Sequence, residues 1–137
     1  MAEVITGGCE CGALRYECSA VPLMAGHCHC RSCQKASGTG HASHLMVPKA
    51  AVTISGAASW YERPADSGNM VRRAFCPQCG TPVCGESSGF PDVLMLRAGS
   101  LDDPERFRPG ARVYAADAPS WDHMDPALRS FEGMPQR

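Results

Sequence analysis

Apolar residues along this chain recur mainly at every second position, in short runs separated by Gly and Pro. Ala13 to Cys18 shows the pattern most clearly. Leu14, Tyr16 and Cys18 fall on one face of a predicted strand, with Arg15 and Glu17 on the other. Ser43 to Val47, Ala51 to Ile54 and Ser59 to Tyr61 are further short strand candidates. Met70 to Phe75 alternates with Val71, Arg73 and Phe75 on one side. Val93 to Leu96 is apolar throughout, as in a strand buried on both faces. Arg112 to Ala115 is a weaker strand. Turn-forming residues dominate Arg63 to Asn69 and Ser87 to Asp92, which read as loops. Helix signals are few. Arg31 to Ser37 has room for about two turns, Asp103-Pro104-Glu105 pairs a cap with Pro at the first helical position, and Ala127 to Phe131 is a weak third. These elements predict a mainly antiparallel β fold with little helix.

The length of 137 residues suits one domain, spanning 1–137. Thirteen Lys and Arg stand against fourteen Asp and Glu, so no basic excess favours nucleic acid as a partner. No apolar run approaches a membrane span, and Met1 to Thr6 lacks the basic start of a secretory signal. The expected compartment is therefore the cytoplasm. That expectation changes how the nine cysteines are read. An odd number cannot pair completely, and in a reducing compartment metal binding outranks disulfides.

Seven of the nine cysteines lie in three groups: Cys9 and Cys11, then Cys28, Cys30 and Cys33, then Cys76 and Cys79. Zinc prefers four soft donors in a tetrahedron, and Gly12 and Gly80 follow the paired cysteines where the chain must turn sharply. Counting donors assigns Cys9, Cys11, Cys76 and Cys79 to one closed, structural zinc. Cys28, Cys30 and Cys33 form a tripod for a second zinc with one position open, the catalytic arrangement. Three alternatives remain at this level. Cys30 and Cys33 could join Cys76 and Cys79 in a zinc ribbon. His27, His29, His41 or His44 could close the tripod. The tripod could also be a set of metal-free redox thiols. Cys18 and Cys84 read as small core residues.

The order Cys9-x-Cys11-Gly12, Cys28-His29-Cys30-x-x-Cys33, Phe75-Cys76-x-x-Cys79-Gly80, Gly99-Ser100-Leu101-Asp102-Asp103-Pro104 and Trp121 resembles the glutathione-dependent formaldehyde-activating enzyme family, also called the centromere protein V/GFA domain. The resemblance implies a β-tent of small antiparallel sheets pinned by zinc, with two zinc ions per chain held as counted above. It also implies a carbon–sulfur lyase resembling S-(hydroxymethyl)glutathione synthase, which joins formaldehyde, or another small aldehyde, to glutathione or a similar small thiol. Arg31, Lys35, Arg72 and Arg73 lie near the motifs and are candidates for holding the thiol's carboxylates. The competing functions are a non-catalytic zinc and thiol carrier, and a protein-binding module on the same fold. Ala118 to His123 is expected to pack back near the tripod, with Trp121 in the core.

Overall fold

The computed structural model describes residues 3–135. Its strands are β1 (Ile5–Gly8), β2 (Arg15–Cys18), β3 (Met24–Cys28), β4 (Ala42–Pro48), β5 (Val52–Ser55), β6 (Ser59–Pro64), β7 (Met70–Phe75), β8 (Pro82–Ser87), β9 (Val93–Arg97), β10 (Ala111–Val113) and β11 (Arg129–Ser130). One α-helix, α1 (Arg31–Ser37), follows β3. The fold is mainly β, as the alternation predicts.

The strands form a three-stranded antiparallel sheet, β1-β2-β5, and an eight-stranded sheet, β11-β10-β3-β4-β9-β8-β7-β6. The larger sheet is antiparallel from β3 to β6. It spans eight strands, and β10 runs parallel to both β3 and β11.

Opposed residues share a sheet face, and following them across the large sheet separates its two sides. Ala25, Leu45, Leu96, Cys84, Ala74 and Trp60 are linked in register from β3 to β6. This row looks inward and joins the core with Leu14, Tyr16 and Cys18 from the small sheet. The opposite face carries Met24, Met46, Met95, Gly85 and Arg73 in one register row. Gly26, His44 and Arg97 follow in the next row of the same face. Val93 to Leu96 is thus buried chiefly on one side. Leu94 and Leu96 are buried, while Val93 and Met95 are half-buried.

The segment Gly99 to Pro104 clamps the sheets together. The Tyr16 hydroxyl meets Ser100 Oγ at 2.7 Å, and Ser100 Oγ donates to Arg97 O at 2.7 Å. Gly7 bridges to Leu101 in an antiparallel pair. A Cβ on Gly7 would fall 2.3 Å from Tyr16 Oη, so only glycine permits this approach. Asp102 accepts from Thr6 Oγ1 at 2.7 Å and from both terminal nitrogens of Arg15. Asp103 caps the short 3₁₀ turn Pro104–Arg106, as its sequence predicts.

Two predictions fail near the C-terminus. Ala127 to Phe131 is not helical. Five residues gain too few helical hydrogen bonds, whereas β10 offers a partner, with Arg129 N donating to Gly110 O and Phe131 N to Arg112 O. Trp121 is 62 % exposed and does not enter the core. In the Met70 to Phe75 strand, Ala74 is buried and Phe75 is exposed.

The Arg15 and Thr6 contacts hold the Asp102 carboxyl down from its ordinary 3.8 to about 2. A carboxylate with a lowered folded-state pKa contributes stability above its unfolded pKa and loses it as pH falls through the folded value. Asp102→Asn should therefore lower the melting temperature modestly at pH 7, since the pair is partly exposed. That deficit should shrink as pH falls from about 4 to about 2. Parallel melting curves at all pH values would exclude this role.

Candidate functional site

Two turns of like construction deliver the first cysteine group. Cys9 and Cys11 leave β1, and Cys76 and Cys79 lie between β7 and β8. Gly12 and Gly80 adopt φ of 82° and 78°, the left-handed turn that frees the backbone to fold around the sulfurs. All four Sγ atoms lie within 4.8 Å of one another. Cys9–Cys11 and Cys11–Cys76 sulfurs are each 3.7 Å apart. A zinc tetrahedron with bonds of about 2.3 Å has edges of about 3.8 Å, so the donors fit the ion in type and spacing. Backbone N–H groups of Leu14 and Gln78 point at Cys9 and Cys76 sulfur, at 3.2 and 3.4 Å. The Thr81 hydroxyl lies 3.2 Å from Cys79 Sγ and pulls that thiol down to about 5.

The second group is Cys28, Cys30 and Cys33, whose sulfurs also lie within 4.8 Å of one another. Cys28 ends β3. Cys30 caps α1, its sulfur accepting from Cys33 N at 3.3 Å. Hydrogen bonds from Cys28 and Cys33 hold Cys30 far below the ordinary thiol value of 9.0, so Cys30 ionises first. The same contacts, with burial, push Cys28 up. Three soft sulfurs, one already favouring the thiolate, suit a thiophilic cation such as zinc. Among the described residues, no fourth Cys, His, Asp or Glu joins this group. The sulfurs are not partitioned as a ribbon of Cys30 and Cys33 with Cys76 and Cys79.

None of the four histidines closes the tripod. His27 Nδ1 meets Ser43 Oγ at 2.8 Å. His29 is fully buried and turned to Gly40 O at 3.1 Å and Asp122 at 3.2 Å. His41 Nδ1 meets the same Asp122 Oδ2 at 2.8 Å. His29, His41 and Asp122 therefore form a cluster joining the tripod loop to the tail. Gln34 strengthens the join, with Nε2 donating to His29 O at 2.8 Å and Asp117 O at 3.1 Å. The tail does return to the tripod, but through Asp122 rather than Trp121. An isolated Asp beside a Trp gives no sequence signal for this.

Of the candidate cations, Arg31 is engaged by Gln34 on its own helix. Lys35 is exposed. Arg72 pairs with Glu86 at 2.7 Å and stacks on Trp60. Arg73 reaches the tripod segment from β7, donating to Ser32 Oγ at 2.8 Å. Arg97, which sequence reasoning missed, and His44, weighed there only as a fourth tripod donor, share its sheet face. Tyr114 is half-buried and lies within electrostatic reach of Cys28 and Cys30. It is the one non-glycine residue with positive φ among those described, at 53°. Cys18 and Cys84 are buried in the core. Burial pushes the Cys84 thiol up to about 11, which makes it unreactive.

These features define a β domain with two cysteine clusters that could each hold a metal ion, one with four sulfurs and one with three. The chain matches the glutathione-dependent formaldehyde-activating enzyme family over residues 4–117 and belongs to that family. Among solved structures it is similar to a Rhodobacter sphaeroides protein determined by structural genomics. Identity is 20 %, covering 73 % of this chain and 92 % of that one, with a TM-score of 0.59. At that identity the likeness shows the fold. No helix among the described residues is long and apolar enough to cross a membrane.

Cys76 is fully buried within the core cluster, whereas Cys30 is half-buried outside it. Cys76→Ser should therefore cost far more thermal stability than Cys30→Ser. Equal losses, measured by calorimetric melting, would contradict the division between a fold-holding cluster and an accessible one.

Proposed function

We propose that residues 1–137 form one zinc-binding domain that acts as a carbon–sulfur lyase in the cytoplasm, joining glutathione or a similar small thiol to a small aldehyde such as formaldehyde. In this reading Cys9, Cys11, Cys76 and Cys79 hold a structural zinc, and Cys28, Cys30 and Cys33 hold a second zinc at the reacting site. One observation carries it: three convergent thiols without a fourth protein donor in their group. Family membership supports the substrate class. The nine free cysteines suit a reducing compartment.

Zinc at the tripod would supply a soft Lewis-acid position at which a thiol sheds its proton. The chain's own contribution is to hold three thiolates in place. Cys30 is fixed by Cys33 N, and Cys28 by the β3–β4 pairing. In the addition, the thiolate sulfur bonds to the carbonyl carbon. The carbonyl π pair moves to oxygen, which takes up a proton. No oxidant or reductant is required. Holding both reactants at one position contributes through proximity.

Two outcomes are expected. Elemental analysis of protein purified without added metal should approach two zinc ions per chain. Calorimetry should give saturable glutathione binding to the loaded protein and none in Cys30→Ser. A loaded protein that binds no small thiol would remove the lyase reading.

A further inference from the structure

Arg97 is 8 % exposed, yet among the described residues no carboxylate pairs with its guanidinium. Burying an unpaired guanidinium is costly, so a buried one without an acid calls for another source of negative charge. Its register partner across β4 is His44, whose Nδ1 is sealed from solvent without a hydrogen-bond partner. Orphaned buried polar atoms are rare and mark a missing ligand or solvent contact. Arg73 shares the face and has no carboxylate partner among the described residues; its guanidinium donates to Ser32 Oγ, beside Cys33. Acidic groups elsewhere on these strands are already engaged. Glu86 is held by Lys49 and Arg72, each at 2.7 Å.

The tripod offers such a charge. Cys28 lies on the same sheet face, two residues beyond Gly26, which opposes His44. Cys33 and Cys28, together with Cys84 of the core, oppose the lowering of the Arg97 pKa by burial. A divalent ion bound by three thiolates carries one net negative charge, and an anionic fourth ligand makes two. Such a centre is tolerated away from water only beside fixed positive charge.

We propose that Arg97, Arg73 and His44 form an anion subsite beside the open tripod position, so that the small ligand completing that metal centre is taken as an anion, a thiolate in preference to a neutral donor. The inference rests on the tripod holding a metal with one open position. Arg97 supplies the buried charge, Arg73 the charge at the rim, and His44 a hydrogen bond inside.

Cobalt-substituted full-length protein tests this, because thiolate-to-cobalt absorption reports ligand exchange at the tripod. Three probes are titrated separately: azide as an anion, imidazole as a neutral donor, and 2-mercaptoethanol as a thiol with no other charge. The native protein should prefer azide and the thiol to imidazole. Arg97→Met should weaken azide and thiol binding by about tenfold or more, leaving imidazole unchanged or tighter. Arg97→Lys should retain most of the preference. If Arg97→Met does not fold, Arg73→Met should shift the same ratio in the same direction by less. An azide-to-imidazole ratio unchanged in these variants overturns the subsite. A native cobalt spectrum that responds to none of the probes overturns the open position itself, and the subsite with it.

Discussion

Four thiol sulfurs, from two cysteine pairs at least 65 residues apart in sequence, are crowded within 4.8 Å of one another. Ionised sulfurs at that separation repel strongly, and only a cation among them turns the crowding into attraction. Much of the architecture follows from this junction. It pins the end of β1 to the β7–β8 turn and so fixes how the small sheet lies over the large one. The Tyr16–Ser100 and Arg15–Asp102 contacts add to the same interface. A metal ion held there would let a small β domain of short strands maintain a defined core.

The large sheet divides its two faces between tasks. Its inward row, from Ala25 to Trp60, is apolar and continuous with the core. Its other face mixes methionine with Arg73, Arg97 and His44, and Cys28 of the tripod lies on that face. Rigid strands position these groups, and backbone pairing rather than side-chain contacts sets their spacing. Such a face holds charge near the site with little conformational entropy left to lose.

Legibility in the sequence tracked how local each cause is. The three cysteine groups were readable because each is compact in sequence, with Gly12 and Gly80 following the two pairs. Ala13 to Cys18 was readable because one face is fully buried and the other is not. β1 and β3 were hidden by Gly7, Gly8 and Gly26, which weaken the strand pattern. Gly26 is there because β10 passes so close that a Cβ would sit 2.7 Å from Ala111 O. Arg97 was masked as the end of an apolar run, and nothing local shows that it lacks an acid. Asp122 depends on His29 and His41, brought to it from distant parts of the chain.

The four-sulfur junction is also asymmetric. Cys9 and Cys76 are buried, while Cys11 and Cys79 face solvent. Peroxide or a chelator therefore meets the outer pair first, and the inner pair is reached only after the outer one yields. Cys76 belongs to the core, so injury at the surface is passed directly to the packing beneath it. Oxidative damage in this protein thus has a built-in direction: it enters at the rim of the junction and ends in loss of the fold, and the tripod need not be the first casualty.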